Sequence, residues 1–426
     1  MGPVRPTEAR TQSDDEEDQD MGPGAAEDTT EYDPFDEFNR AMGAGGDLSP
    51  YPDYIAARQQ GGVHREDFEG LAEGLGDTSL FTAYSFEAVL AVLCDPSFSS
   101  AGYAEVMGVV FGHSILEMDE PEHHAYRSIL QQAFTRKAMQ RWAVELVEPL
   151  VQGMIDDFVD DGHADLVKQL LFPFPVRVIA ALLGLPEDDL PEFHRLTVEL
   201  LGVTVDWDRA VQASTRLREY LAGIVADRRR HPAGDMISVL VSAEQDGQRL
   251  TDDDIFAFLR LLLPAGAETT YRSSSNLLFG LLSNPAQLDV VRADRTLLPA
   301  AIEEGIRWEP PLLIIMRTAT RDTEVCGSTI PAGGVVICNL GSANHDGDRW
   351  ERAEEFDIFR PHAAHIGFAS GPHTCLGMHL ARMETRVALE AIFDRLPGLR
   401  FDPGAPAPYI SGVTFRAPPS LPLIWD

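Results

Sequence analysis

The sequence predicts a mainly α-helical protein with small β-sheets, arranged around one long central helix. Three observations carry this prediction. Thr251-Asp252-Asp253-Asp254 opens a stretch that is apolar on nearly every side through Leu263, as a buried helix must be. Residues 137–245 read as successive amphipathic helices separated by Pro173, Pro186, Pro191 and Pro232. The strand-like runs are few and short, at residues 80–83, 323–326 and 335–340.

Bulk properties bound the rest. At ~150 residues per domain, the 426 residues would make about three domains. No Pro/Gly/Ser linker divides residues 50–426, so residues 34–426 read as a single domain. Residues 1–33 are acidic and rich in Gly and Pro, with the run Asp14-Asp15-Glu16-Glu17-Asp18. Such a segment cannot bury enough apolar surface to offset its ordering entropy, and a disordered tail is expected. Lys plus Arg is 34 and Asp plus Glu is 68, a net charge of −34. That excess argues against nucleic acid and anionic membranes as partners. The four cysteines, Cys94, Cys326, Cys338 and Cys375, show no zinc-like or Cys-x-x-Cys spacing. With no basic-then-apolar leader and no unbroken apolar span, a cytoplasmic location is expected.

Taken in order, residues 80–83 form a strand and Ser85 caps a helix over residues 86–93. Residues 100–118 are apolar and read as irregular. Asp119 reads as a helix cap, with Pro121 in the first turn. His123 and Arg127, four apart, then share one helix face. Two helices are expected between residues 186 and 230. Thr251 is an N-cap with Asp254 three residues on, close to a capping box. Pro264 and Gly266 follow inside the helix, where they cost roughly 3 and 1 kcal/mol relative to alanine. A buried acid, Glu268, comes next, then Thr269. Glu304 and Arg307 are three apart on a helix and can pair. Pro331-Ala332-Gly333-Gly334 is a turn between short strands, and a last hairpin is expected over residues 409–415.

The most informative stretch is Phe368-Ala369-Ser370-Gly371-Pro372-His373-Thr374-Cys375-Leu376-Gly377. A small-residue loop delivers Cys375 to a helix N-terminus, which favours a thiolate. The loop resembles the haem-binding signature of the cytochrome P-450 superfamily, Phe-Gly-x-Gly-x-His-x-Cys-x-Gly. Five of its six fixed positions match, and Ala369 stands where glycine is usual. A lone cysteine is more often a buried, inert one. Three further family motifs upstream, in the family's order, reverse those odds. His123 and Arg127 match His-x-x-x-Arg, Ala265 to Thr269 match Ala-Gly-x-Glu/Asp-Thr, and Glu304 and Arg307 match Glu-x-x-Arg.

The resemblance covers roughly residues 45–426. It implies the cytochrome P-450 fold, with the long kinked central helix passing over a haem. It implies haem b (iron protoporphyrin IX) as cofactor, with Cys375 as axial ligand of the iron. Phe368 and Gly377 would cradle the sulfur side, and Ala265 would lie over the opposite face. His123, Arg127, Arg317 and His373 would hold the propionates. Glu268 and Thr269 would be catalytic, serving oxygen activation and proton supply. Glu304, Arg307 and Arg360 would form a buried structural network. Val109, Phe111, Leu262, Ile314, Ile315 and Ile410 would line an apolar substrate pocket. The implied reaction inserts one atom of dioxygen into a lipophilic small molecule of sterol, terpenoid, fatty acyl or polyketide type.

The chain carries no dinucleotide fingerprint, flavin module or ferredoxin cysteine cluster. Electrons are therefore expected from a separate ferredoxin or flavodoxin and its reductase. Arg136, Lys137, Arg141 and Arg382 are the expected docking patch. The protein is expected to act as a monomer without a membrane anchor. Two alternatives are a peroxide-driven peroxygenase, against which the Glu268-Thr269 pair argues, and a non-catalytic haem protein that binds a lipophilic ligand.

Overall fold

A computed structural model describes residues 36, 39, 40, 43, 46, 49–66, 79–204 and 206–426. The acidic tail expected over residues 1–33 lies outside the described residues. The central helix spans Asp252–Ser283 and continues through Pro264. Thr251 accepts from the Asp254 backbone N–H, and the Asp254 carboxylate accepts from the Thr251 N–H, so the capping box is complete. Buried residues occur on every side of this helix. It packs against Pro173–Leu183, Trp207–Arg230, Leu298–Trp308 and Met378–Arg395.

The prolines punctuate as the sequence predicts. Pro173 and Pro191 stand in the first turns of Pro173–Leu183 and Leu190–Leu201, where a missing N–H costs nothing. The two helices expected over residues 186–230 are Leu190–Leu201 and Trp207–Arg230. Ser85 caps Phe86–Cys94 by accepting from the Ala88 N–H.

Three expectations are corrected. The stretch called irregular contains a helix, Gly102–Phe111, closed by Gly112 at φ +80°. Its glycines and β-branched residues masked a helical pattern that packing against neighbours sustains. Asp119 does not cap Glu122–Leu130. Its carboxylate accepts from the Ser100 N–H at 2.9 Å and from the Ser99 hydroxyl, across to another segment. The last hairpin is reduced to one bridge, Ser411 with Ala417, beside a second between Leu312 and Phe415.

The main sheet has five strands in the order Val63–Glu66, Leu80–Ala83, Val335–Asn339, Ile314–Ala319 and Phe98–Ser99. The Leu80–Ala83 and Val335–Asn339 strands are parallel and the other pairs antiparallel. The register sets Arg317 opposite Val336. The four cysteines are free thiols. Among the described residues no helix is long and apolar enough to cross a membrane.

Candidate active site

The Cys375 loop is held by its own backbone. The Cys375 N–H donates to the Phe368 carbonyl at 2.9 Å, and the Thr374 N–H to the Gly371 carbonyl at 3.1 Å. Gly371 has φ +73°, and a Cβ there would sit 2.3 Å from the Leu93 carbonyl oxygen. Only glycine fits this approach. Ala369, at the position where the signature has glycine, adopts φ +57°. The loop keeps its path, and alanine bears the left-handed conformation itself.

Gly377 then caps the helix Met378–Arg395. Cys375 is exposed although protein surrounds it, as suits a side chain at the floor of a concavity. Burial is the largest influence on its thiol and raises the pKa. The Gly377 and Met378 backbone N–H groups, with Arg127 and Arg382, pull the other way. Those groups favour a thiolate that a metal ion would complete.

On one side of the loop stands a cationic cluster. Arg127 donates to the Thr374 carbonyl at 2.6 Å, one residue before the cysteine. The His123 and His373 rings lie 4.1 Å apart. His373 Nε2 meets the Ser100 hydroxyl at 3.1 Å, and His123 Nδ1 meets Glu120 at 3.2 Å. His123 is 1% exposed, and its Nε2 has no partner among the described residues. Arg317 is buried and donates to the Met316 carbonyl. Burial pushes His373 down to about 3, with help from His123, Arg317 and Arg127. Neither Arg127 nor Arg317 makes an ion pair among the described residues. Two unpaired guanidinium groups and an orphaned imidazole nitrogen fit a group with two carboxylates, as the haem propionates are.

The central helix carries the second set of expected residues. Ala265 is exposed and Thr269 half-buried one turn on, and the Thr269 hydroxyl donates to the Ala265 carbonyl at 2.7 Å. Glu268 points elsewhere: it is 1% exposed and paired with Arg272. Its Oε2 has no partner among the described residues. Burial raises the Glu268 pKa, and Arg272 opposes the rise. Arg272 also donates to Asn39 at 2.7 Å.

The other expected residues divide. Arg307 grips Glu304 with two bonds of 2.8 Å, and Arg360 approaches the same carboxylate at 3.4 Å. Arg307 also donates to the carbonyls of Asn344, Ala353 and Glu355. Phe368 lies under the Arg382 guanidinium at 4.7 Å. Arg382 is engaged by Glu303 at 2.6 and 2.7 Å, unlike the exposed Arg136 and Lys137.

Among the expected pocket residues, Val109 is exposed and Ile314, Ile315 and Ile410 are half-buried. Phe111 and Leu262 belong to the core. Leu262 and Ile179 meet across Gly266, so Leu262 faces the Pro173–Leu183 helix. Half-buried Leu261, four residues before Ala265, shares the open face instead. Sequence reasoning missed Leu261, Ser100 and Arg272. Helical spacing from Ala265 could have found the first.

The family model "Cytochrome P450" matches residues 200–397. The chain is 35% identical over 404 residues to the cytochrome P450 monooxygenase PikC of Streptomyces venezuelae, covering 90% of this chain and 93% of PikC. It is 36% identical to nocardicin C N-oxygenase of Nocardia uniformis subsp. tsuyamanensis, covering 80% of this chain and 88% of that protein. The crystal structure of CYP109E1 from Bacillus megaterium with testosterone superposes with a TM-score of 0.80 at 29% identity. That match covers 89% of this chain and all of the other.

Proposed function

Because the chain belongs to the cytochrome P450 family of haem-thiolate monooxygenases, we propose that residues 34–426 form a single domain that oxygenates a lipophilic small molecule. In this reading Cys375 would hold haem b, with Phe368 and Gly377 beside the sulfur and Ala265 among the residues that would line the site. His123, Arg127, Arg317 and His373 would take its propionates. The observation that carries the reading is the Arg127 bond to the Thr374 carbonyl. It joins the cationic cluster to the thiolate loop, so one rigid unit would grip both the metal and the carboxylates.

When bound, the haem supplies dioxygen binding and O–O cleavage favoured by thiolate donation. The residues do the rest. Thr269 gives its own proton to the Ala265 carbonyl, so its oxygen offers lone pairs to the open face and accepts a hydrogen bond there. Glu268 Oε2 holds a proton more readily than an ordinary carboxylate, because it is buried. A turn of the Glu268 side chain away from Arg272 would bring that proton toward Thr269. Electrons come from a separate ferredoxin or flavodoxin with its reductase, docking over Arg136, Lys137 and Arg141. The protein acts as a cytoplasmic monomer.

The test is the absorption of the reduced protein under carbon monoxide. A thiolate-ligated haem gives the red-shifted band, and Cys375→Ser loses it. A protein that takes up haem without that band overturns the proposal. Turnover with peroxide alone, compared with turnover through a reductase chain, separates it from a peroxygenase.

A further inference from the structure

Glu303 precedes Glu304 on Leu298–Trp308 but takes different partners. Its Oε1 accepts from Arg382 Nε at 2.6 Å. Its Oε2 accepts from Arg382 Nη2 at 2.7 Å and from His365 Nε2 at 3.2 Å. His365 Nδ1 accepts from the Gly367 N–H at 3.1 Å. The ring proton of a neutral His365 is therefore on Nε2, directed at Glu303. Arg382 lies over the Phe368 ring, 4.7 Å from its centroid. The Phe368 carbonyl in turn accepts the Cys375 N–H at 2.9 Å. One carboxylate thus fixes two successive residues of the thiolate loop, Gly367 through its backbone and Phe368 through its ring.

The attachment is close. A Cβ on Gly367 would meet Ile306 Cγ2 at 2.6 Å, so the loop enters pressed against the helix that carries Glu303. The His365 side chain is 6% exposed, which keeps water from competing for its bond to Glu303. Arg382 also bears on the ligand itself. With Arg127, it is one of two guanidinium groups that favour the Cys375 thiolate. Arg127 spends its Nη2 on the Thr374 carbonyl, whereas Arg382 meets a carboxylate at two of its nitrogens. The expected place of Arg382 in a partner-docking patch is therefore taken by a bond within the chain.

We propose that Glu303 is a positioning residue for the thiolate ligand: it fixes the Phe368 arm of the loop through His365 and Arg382, and it offsets one of the two guanidinium charges that act on the sulfur. The proposal rests on the haem-thiolate reading above and adds to it a residue that the matched motifs omit. Without the Glu303 charge, Arg382 would act on the sulfur uncompensated. The Phe368 arm would also lose its tie. A bare cation withdraws charge from the thiolate, and a looser arm admits water that hydrogen-bonds to it. Both effects weaken the sulfur as a donor and favour the reduced metal, so both raise the reduction potential.

The test is a redox titration of the haem-loaded protein with small-molecule mediators and no protein partner. Glu303→Gln keeps the shape and loses the charge, and its reduction potential should lie above that of wild type. Glu303→Asp keeps the charge and should bring the potential back toward wild type. Urea unfolding of the same samples supplies the contrast. A purely structural Glu303 would lower the urea midpoint and leave the potential of the folded protein alone. An unchanged or lowered potential in Glu303→Gln overturns the proposal. So does a Glu303→Asp potential displaced as far as that of Glu303→Gln. The carbon monoxide band of the wild-type protein reports separately on the haem-thiolate reading.

Discussion

Arg272 pairs with Glu268 across one turn of the central helix, and the second carboxylate oxygen of Glu268 stays without a partner among the described residues. Burial raises the Glu268 pKa, and Arg272 is what opposes it. Replacing Arg272 by Met leaves burial unopposed. The pH–rate limb that reports this carboxyl should then move to higher pH. Glu268→Gln should lower product formation by about 10²-fold while the substrate-induced Soret shift persists. An Arg272→Met profile that coincides with wild type refutes the assignment.

Ala369 occupies left-handed backbone at φ +57°. An L-residue there costs roughly 1–2 kcal/mol, while glycine has the greater entropy to lose on folding. Ala369→Gly should therefore raise stability by about 0.5 kcal/mol, read as a higher urea midpoint, with an unaltered carbon monoxide spectrum. A lowered midpoint would show that the loop prefers alanine.

Arg307 and Glu304 are 2% and 5% exposed. Removing one partner of a buried pair strands the other charge, at a cost of about 3–5 kcal/mol. Arg307→Leu also strands three carbonyls. Severe destabilisation is expected. The double variant Glu304→Leu with Arg307→Leu should recover part of the loss, since the stranded carboxylate goes too and Arg360 keeps the Glu351, Arg352 and Glu355 carbonyls. Urea unfolding of the two variants and the wild type checks this.

Glu303 accepts from both Arg382 and His365. Burial alone would raise its carboxyl, but hydrogen bonds from His365 and Arg382 outweigh it and hold the pKa at about 2, against an ordinary 4.5. The folded value is the lower one. The stabilisation is therefore complete above the ordinary value and is lost as pH falls from 4.5 to about 2. Partial exposure limits it to about 1 kcal/mol. Glu303→Gln should show a lower neutral-pH midpoint and a flatter loss of stability across that acid window. Identical slopes for the variant and wild type would rule this out.

What could be read along the chain was local. The Thr251 box needs only side chains three residues apart and their own backbone, and the structure contains it. Ser85 before residues 86–94 is the same case. The Glu304–Arg307 pair also lies within one turn. The Cys375 loop was legible because its tight turn tolerates few residues, with Gly371 pressed on the Leu93 carbonyl, and those stand at fixed spacing.

Where a side chain could bond either along its own helix or to a distant segment, sequence reasoning failed. Asp119 suits a cap, yet Ser99 and Ser100 claim it. Leu262 and Leu261 are equally apolar, and only the packing of Ile179 against Gly266 sends one to the core and leaves the other on the open face. Arg260 gives no signal in the sequence at all. Its burial without an anion among the described residues arises from three elements, with Val110 and Ser214 104 positions apart and Ser214 and Arg260 46 apart. The sequence by itself determined most of the helices, the Thr251 and Ser85 caps and the path of the Cys375 loop, because these follow from neighbours along the backbone. Tertiary structure decided which charges are left uncompensated, because that depends on what the completed fold places around each one.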